Sequence, residues 1–302
     1  MLEEWKIAKM QKAQYRVVGN HSAVKVCHWT KECLRGGKPC YKNTFYGIST
    51  AKCMEMTPAL TCNQRCLHCW RDTSIFSKEW NAPIDEPDKI ITGCIEARKK
   101  LLTGFKGNKK TDKKLLEQAL EPKQVAISLT GEPCMYPRLP ELIKRFFERG
   151  FESVYLVTAG TVPEMLQKLD VLPTNLYISL TASNPEMYKK LCIPVIDGAW
   201  EKVMKSLELM SKMKTTTVLR ITLIKGWNME KPEEFAPLVE KAKPKFVECK
   251  AYMRLGGSRE RLKEENMPEM DDIRVFAKAL AKATGYRVKD ERADSRVVLL
   301  EK

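Results

Sequence analysis

The sequence has no long hydrophobic run and few histidines. No window of the 302-residue chain approaches the roughly 18 consecutive apolar residues of a membrane-spanning helix, and its N-terminal residues are too charged for a signal-peptide core. Three histidines leave little room for histidine-centred acid–base catalysis, and the chain has neither a glycine-rich phosphate loop nor a flavin-binding module. We therefore expect a cytoplasmic protein that does not bind membranes.

Acidic residues are fewer than basic ones. The chain has 38 Asp and Glu against 53 Lys and Arg, which gives a formal net charge of +15. Its 43% apolar and 30% charged residues indicate a globular protein and exclude a disordered tail or a collagen-like fibre. A solvated surface explains any single basic run, but the net excess favours a polyanionic partner such as RNA. The basic runs span 98–100, 106–114, 254–261 and 278–292.

The eleven cysteines are concentrated near the N-terminus, and their number is odd. Seven of them lie between Cys27 and Cys69. Because a cytosolic chain keeps its thiols reduced, metal ligation is favoured over a disulfide framework. Cys27, Cys40 and Cys53 are evenly spaced, with Cys33 between the first two.

The tightest group is Cys62, Cys66 and Cys69, which reads C-x3-C-x2-C. Three thiolates on one loop can hold three irons of a cubane and leave the fourth iron open to a substrate or cofactor. A zinc site usually takes four ligands from paired knuckles, and His68 is poorly placed to be a fourth. A redox dithiol would not need Cys62. The spacing therefore favours an iron–sulfur cluster on this loop.

After Cys69 the sequence alternates short β-branched apolar runs with amphipathic helical stretches. Strands are predicted at 56–60, 124–129, 153–157, 175–180, 217–224 and 246–251. Helices are predicted at 139–149, 163–168, 185–191, 200–213, 232–241 and 268–283. Repeated strand–helix units imply parallel strands with right-handed crossovers, as in a partial (β/α)6 barrel or a doubly wound sheet.

C-x3-C-x2-C followed by the aromatic Trp70 resembles the signature of radical S-adenosylmethionine (SAM) enzymes. In that superfamily SAM chelates the open iron, and one electron cleaves it to methionine and a 5′-deoxyadenosyl radical. The resemblance implies an α/β fold, a partial (β/α)6 TIM-like barrel at 56–302 with a C-terminal extension. It leaves 1–55 as an N-terminal extension.

The same resemblance implies SAM-binding residues at the C-terminal ends of the strands, where ligands of such folds bind. Gly131 and Glu132 resemble a G-G-E-P-type element, although Gly-Glu-Pro is also an ordinary turn. Ser179 matches a ribose contact, and Arg220 could hold the SAM carboxylate or be a surface cation. Trp70 completes the predicted SAM-binding set. Ala159 stands where the family pattern has Asn, which would weaken SAM binding if that Asn contacts SAM.

Over nearly its whole length the chain is similar to archaeal-type tRNA 4-demethylwyosine synthases. The resemblance is carried by residues 21–29, 40–42, 45–48, 56–60, 157–166, 220–228 and 294–296. It implies a lyase of wybutosine biosynthesis that condenses pyruvate with tRNA-Phe carrying N1-methylguanosine 3′ of the anticodon. It also implies two [4Fe–4S] clusters and SAM as cofactors.

In that family an auxiliary [4Fe–4S] cluster matches Cys27, Cys40 and Cys53, which leaves Cys33 surplus. The alternative is a structural zinc site with Cys33 as the fourth ligand. Lys42 matches the amine that meets pyruvate, either as a Schiff base or by pairing with the pyruvate carboxylate. The remaining cysteines are predicted to be structural: Cys94, Cys134, Cys192 and Cys249.

The partners follow from the same resemblance. Eukaryotic relatives carry a fused flavodoxin domain, for which this chain is too short, so we expect an external flavodoxin, ferredoxin or reductase as electron donor. We expect a monomer. Two other functions stay open: a radical SAM enzyme acting on another RNA, a peptide or a small metabolite, and a zinc-stabilised RNA-binding protein.

Overall fold

The computed structural model describes residues 3–302, which form two compact units. The first unit comprises the described residues up to Thr61, Glu79–Leu156 and Leu169–Thr174. The second comprises Cys62–Lys78, Val157–Lys168 and Asn175–Lys302. Among residues 3–302, no helix combines the length and the hydrophobicity that a bilayer-spanning segment requires.

The first unit contains five consecutive strands of a sheet. They are β1 (Arg16–Val18), β2 (Ser22–Lys25), β3 (Cys53–Thr57), β4 (Gln124–Ile127) and β5 (Ser153–Thr158), whose last two residues fall in the second unit. The β1–β2 and β2–β3 pairs are antiparallel, whereas β3, β4 and β5 are parallel. The helices are α1 (Glu4–Lys12), α2 (His28–Leu34), α3 (Tyr41–Tyr46), α4 (Pro87–Leu102), α5 (Lys113–Leu120) and α6 (Leu139–Glu148).

Apolar patterning and capping explain these elements. All four residues of β4 are buried, as expected for a parallel strand covered on both faces. Helix α6 buries Leu139, Leu142, Ile143 and Phe146 along one stripe and begins with a proline in its first turn. The carboxylate of Asp112 caps α5 by accepting from the Leu115 amide at 3.0 Å.

The second unit contains strands β6 (Asn175–Leu180), β7 (Thr216–Leu223), β8 (Phe246–Ala251), β9 (Arg287–Arg292) and β10 (Val297–Glu301). Strands β6, β7 and β8 are parallel, and the antiparallel β10 and β9 follow β8 at the edge. Its helices are α7 (Pro163–Gln167), α8 (Pro185–Cys192), α9 (Ala199–Met210), α10 (Ala236–Ala242) and α11 (Met270–Thr284). Parallel strands therefore place their C-terminal ends, and the loops that follow them, at one edge of this sheet.

The predicted strands at 175–180 and 246–251 are confirmed to the residue, and three others are confirmed with different ends. The strand predicted at 56–60 is instead β3, which starts at Cys53 and ends before Pro58. Pro58 has no N–H to extend the ladder, whereas Cys53 pairs with Gln124 of β4. The predicted division between residues 55 and 56 therefore falls within β3, and the assignment of domains stays a prediction.

A buried histidine connects three segments of the first unit. The His21 Nδ1–H donates to the Pro58 carbonyl at 2.6 Å, and Nε2 accepts from the Asp85 amide at 2.9 Å. The ring lies 4.6 Å from that of Trp80 and 5.3 Å from that of Tyr136. The Pro58 carbonyl needs a donor and the Asp85 amide needs an acceptor, and only the neutral imidazole provides both. Burial lowers the pKa of His21 below its usual 6.5.

Protonation of His21 should destabilise the fold. Below about pH 6.5, His21 is protonated in the unfolded chain but still neutral in the folded chain, because its folded pKa is lower. The free energy of unfolding therefore falls as the pH falls from about 6.5 to the folded pKa, by up to about 1.4 kcal/mol per pH unit. We expect His21→Gln to show a smaller loss of stability between pH 7.5 and pH 5.5 than the unmodified protein in urea unfolding. The same pH dependence in both proteins would contradict this assignment.

Candidate functional site

In the second unit, the loop that carries Cys62, Cys66 and Cys69 is fixed through its backbone. The Leu67 amide donates to the Leu191 carbonyl at 2.9 Å, and the Arg65 amide donates to the carbonyls of Cys192 and Ile193 at 3.1 and 3.0 Å. All three cysteines of the loop are partly exposed. The end of α8 and the residues after it therefore hold the loop, while its thiols stay accessible to a metal cluster.

Side chains of the loop itself provide further contacts. The Arg65 guanidinium donates to the carbonyls of Cys62 at 2.7 Å and Gln64 at 2.8 Å, and to that of Phe76 at 3.0 Å. The Asn63 carboxamide accepts from the Thr161 hydroxyl at 2.9 Å. Residues between the cysteines therefore give the C-x3-C turn a defined shape.

Two thiols of this loop, those of Cys66 and Cys69, have raised pKa values. Burial and the neighbouring Cys66 raise the pKa of Cys69 to about 11. A hydrogen bond with Cys192, together with burial, raises the pKa of Cys66 well above its usual value. Cys192, predicted to be structural, is a buried thiol beside this predicted cluster ligand, and its structural role stays a prediction. Metal binding favours the thiolate that burial disfavours, so these donors fit a cluster.

Two of the predicted SAM-binding residues are neighbours in the sheet of the second unit. Ser179 on β6 pairs in register with Arg220 on β7, which pairs in register with Glu248 on β8. The Arg220 Nε–H donates to the fully buried Glu248 carboxylate at 2.7 Å, and the guanidinium lies 4.8 Å from the ring centre of Tyr177. Arg220 is therefore held by a buried ion pair, and its contact with the SAM carboxylate stays a prediction.

Trp70, directly after Cys69, has about half of its surface exposed, with a relative accessibility of 49%. The guanidinium of Arg71 lies 3.9 Å from the centre of the Trp70 ring. The Trp70 carbonyl accepts a hydrogen bond from the Gly257 amide at 2.9 Å. The backbone of this residue is therefore fixed, while about half of its surface stays exposed, and its contact with SAM stays a prediction.

Sequence reasoning missed the role of Asn228, which joins the ends of β6 and β7. Its buried carboxamide donates to the carbonyls of Thr181 at 2.7 Å and Thr222 at 2.8 Å and accepts from the Ile224 amide at 2.7 Å. The residue lies in the segment 220–228 that carried the family resemblance, but nothing local in the sequence indicates these partners.

In the first unit, Gly131 and Glu132 contact the residues that follow β3. Gly131 has a φ of +70°, and a Cβ there would lie 2.0 Å from the Ala59 carbonyl oxygen. The Glu132 amide donates to the Thr61 carbonyl at 2.8 Å, and its buried carboxylate accepts from the Cys134 amide at 3.0 Å. Gly131 is therefore required for a close approach of two backbones, whatever its role toward SAM.

The predicted auxiliary cysteines also lie in the first unit, at the starts of three elements. Cys27 is the N-cap of α2, Cys40 is the N-cap of α3, and Cys53 begins β3. Burial and then the nearby Cys27 raise the pKa of Cys53 to about 12, and burial and Glu55 raise that of Cys27 to about 11. The fold therefore gathers three thiols that are widely spaced in the sequence.

Two cations accompany this trio. Lys42 follows Cys40 in α3, is half-buried, and has its ammonium 5.5 Å from the ring centre of Tyr155. Its charge lowers the pKa of Cys53, although burial dominates. Arg98 is fully buried, and it donates to the carbonyls of Ala51 and Ala119, each at 2.8 Å.

Arg98 has no neutralising partner in the part of the chain that the structure describes. Within residues 3–302, no carboxylate forms an ion pair with it, and its buried Nη1 has no hydrogen-bond partner.

No group of three or more His, Cys, Asp or Glu side chains in this range is gathered as a single metal ion requires. Each thiolate of a cubane binds a different iron, so its ligands need not converge on one point.

The sequence comparisons identify the family. The radical SAM superfamily model matches residues 56–239, and a model described as wyosine base formation matches residues 241–302. The "S-adenosyl-L-methionine-dependent tRNA 4-demethylwyosine synthase" of Pyrococcus abyssi is 50% identical over 96% of this chain and 86% of its own length. The chain belongs to the tRNA 4-demethylwyosine synthase family.

Two further comparisons agree with this family. The synthase of Pyrococcus horikoshii is 48% identical over 96% of this chain and 86% of its own length. A solved structure described as "Structure of TYW1 with a lysine-pyruvate adduct bound" is 37% identical, with a TM-score of 0.90 over 100% of this chain and 96% of that chain. The predicted fold class, an α/β partial barrel of the radical SAM type, is confirmed. Membership of this superfamily implies SAM and a [4Fe–4S] cluster as cofactors of the synthase.

The backbone contact at Gly131 in this synthase can be tested against a second glycine. Gly150 also has a positive φ, +78°, but a Cβ there meets nothing within 4 Å. Gly131→Ala and Gly150→Ala share the left-handed penalty, and only the former adds a collision with Ala59. We expect Gly131→Ala to lower the free energy of unfolding by about 1–3 kcal/mol more than Gly150→Ala in urea unfolding. Equal losses would contradict the close approach.

Proposed function

We propose that this chain is a tRNA 4-demethylwyosine synthase that condenses pyruvate with N1-methylguanosine, 3′ of the anticodon of tRNA-Phe. Family membership supports the reaction class, since the Pyrococcus abyssi relative carries that name. The observation that carries the assignment is Lys42, a half-buried amine on the same helix that Cys40 caps, beside the thiol trio. An amine in this setting suits a carbonyl substrate, because lysine condenses with ketones when it loses its proton.

Cys62, Cys66 and Cys69 would hold the SAM-cleaving cluster, and Gly131, Glu132, Ser179, Arg220 and Trp70 would contact SAM. When bound, the cluster and SAM supply a carbon radical able to abstract hydrogen from the N1-methyl group. The chain contributes positioning: Arg65 and the end of α8 fix the loop, and Asn228 fixes the ends of two strands. An external flavodoxin, ferredoxin or reductase would supply the electron, and the enzyme would act in the cytoplasm as a monomer.

Lys42 would bind pyruvate covalently. The deprotonated Nζ attacks C2 of pyruvate, water leaves, and a C=N bond replaces the C=O bond, so no oxidant or reductant is needed. The name of the 37% identical TYW1 structure reports a lysine–pyruvate adduct in that protein, which supports this assignment here. The aromatic face of Tyr155 lies near the ammonium.

A second [4Fe–4S] cluster would be held by Cys27, Cys40 and Cys53. The support is Arg98, whose burial without a carboxylate partner costs several kcal/mol unless another anion compensates its charge. A cubane with three thiolate ligands carries net negative charge, and one held by Cys27, Cys40 and Cys53 would lie near Arg98, because Cys53 and Cys27 raise the pKa of Arg98 against the larger effect of burial. A zinc site with Cys33 as the fourth ligand is the alternative.

The positive charge of the first unit supports tRNA as the substrate. A cavity of about 310 Å³ in this unit is lined by Arg16, Lys31 and Arg35, with Phe105 on its apolar side. The Arg35 guanidinium lies 5.3 Å from the ring centre of Phe105. Cations beside an aromatic ring can bind phosphate and stack against a nucleobase. Backbone phosphates of tRNA would contact this cavity.

The second cluster is tested by iron and sulfide analysis after anaerobic reconstitution. We expect about eight irons in the unmodified protein and about four in the Cys27→Ala/Cys40→Ala/Cys53→Ala variant, because each [4Fe–4S] cluster holds four. Cys33→Ala is the matched control and should keep about eight. About four irons in every protein would remove the second cluster, and stoichiometric zinc lost in Cys33→Ala would establish the zinc site.

The reaction is tested with Lys42→Arg, which keeps the positive charge but cannot condense with pyruvate. We expect it to form at least roughly 100-fold less tricyclic nucleoside from N1-methylguanosine tRNA and pyruvate, the scale on which reacting side chains contribute. Borohydride should trap pyruvate on the unmodified protein and not on Lys42→Arg, as read by mass spectrometry. Lys38→Arg, an exposed lysine on the same segment, is the control.

Two results would contradict these roles. Full activity in Lys42→Arg would limit Lys42 to pairing with the pyruvate carboxylate or remove its role. No tricyclic product from the unmodified protein, with its clusters intact, would overturn the proposed function. SAM cleavage coupled to a peptide or metabolite without tRNA would then favour the alternative radical SAM activity.

A further inference from the structure

Arg261 reaches the cysteine loop from a distant part of the sequence. Its Nε–H donates to the Leu67 carbonyl at 3.2 Å, and its Nη2 donates to the Cys69 carbonyl. These carbonyls belong to the C-x2-C turn between Cys66 and Cys69. One planar guanidinium therefore bridges two peptide groups of the turn with two donors in a fixed orientation, a geometry that the lysine ammonium lacks.

The segment that carries Arg261 packs directly on the backbone of the loop. Gly256 has a φ of +52°, and a Cβ there would lie 2.1 Å from the Trp70 carbonyl oxygen. A Cβ on Gly257 would lie 2.8 Å from the Arg71 carbonyl oxygen, and the Gly257 amide donates to the Trp70 carbonyl at 2.9 Å. Two glycines therefore bring the segment close enough for Arg261 to reach the turn.

The charge of Arg261 is not neutralised by a neighbouring carboxylate. Over residues 3–302, Arg261 takes part in no ion pair with Asp or Glu. It is only partly exposed, so solvent screens its charge less than that of a surface arginine. The cation therefore acts mainly on the turn and on what the turn binds.

The segment belongs to the part of the chain that is specific to the family. The wyosine base formation match covers residues 241–302 and includes Gly256, Gly257 and Arg261, whereas the radical SAM match, 56–239, includes the cysteines. The C-terminal region therefore supplies a contact to the loop that the superfamily shares.

We propose that Arg261 is a positioning residue for the SAM-cleaving cluster, which holds the Cys66–Cys69 turn in its ligating shape and favours the reduced state of the cluster. The proposal rests on Cys62, Cys66 and Cys69 holding that cluster. One electron from the external donor adds one negative charge to the cluster and its thiolates, and no bond is made or broken. A nearby cation stabilises the more negative state, so it raises the reduction potential.

The test compares Arg261→Met, Arg261→Lys and Arg259→Met in the full-length reconstituted protein. Arg259 is the matched control, since it lies on the same segment, is exposed, and donates to the Arg254 carbonyl at 3.3 Å instead of to the loop. Redox titration followed by electron paramagnetic resonance measures the potential without tRNA or pyruvate. The signal that changes on adding SAM identifies the relevant cluster.

We expect a lower potential in Arg261→Met, with a several-fold smaller reduced fraction at the unmodified protein's midpoint, and an unchanged potential in Arg259→Met. Arg261→Lys should have a potential between those of Arg261→Met and the unmodified protein, because lysine keeps the positive charge but lacks the planar pair of N–H donors. An unchanged potential in Arg261→Met, or an equal shift in Arg259→Met, would overturn the proposal. Because neither substrate is present, this failure is distinct from failure of the synthase reaction.

If Arg261→Met assembles no cluster, amide hydrogen exchange in the metal-free chain measures the stability of the Cys66–Cys69 turn directly. The Cys69 amide donates to the Cys66 carbonyl at 3.2 Å, which makes it a reporter of the turn. We expect faster exchange of residues 66–70 in Arg261→Met and unchanged exchange in Arg259→Met. Exchange that is unchanged in Arg261→Met would overturn the positioning role.

Discussion

Three thiols on one short loop can bind a single cluster only if the backbone of that loop is held from outside. The C-x3-C-x2-C segment is too short to form its own regular hydrogen bonds, so its peptide groups need partners elsewhere. The Leu67 amide is satisfied by the Leu191 carbonyl and the Leu67 carbonyl by Arg261, both from outside the loop, whereas Arg65 satisfies the Cys62 carbonyl from within it. Much of the second unit is arranged to supply these partners.

Cations near the two thiol sets differ from the other arginines of the interior. Arg220 is neutralised by Glu248, whereas Arg98 and Arg261 form no ion pair with a carboxylate within residues 3–302. A buried cation without a carboxylate needs another anion, and a thiolate-bound cluster would provide one. The burial of Arg98 without a carboxylate partner therefore agrees with the proposed cluster at Cys27, Cys40 and Cys53.

Much of the fold could be predicted because short strands rich in apolar residues alternate with amphipathic helical stretches, as at β6 and β8. The error at β3 came from counting Pro58 within a strand whose ladder it ends. The contact of Cys192 with Cys66 could not be predicted, since the two residues lie far apart in sequence. Only the folded backbone places the two thiols together.

The cysteine spacing alone indicates a cluster with an open iron, and the full-length resemblance indicates the family. Those signals are local or are read position by position along the chain. The cations that lie near the thiols become known only from the folded chain. Arg98 donates to the Ala51 carbonyl and Arg261 to the Leu67 carbonyl, and both contacts join residues far apart in sequence. Such partners depend on how elements pack, and an isolated arginine in a basic sequence carries no signal of its partner.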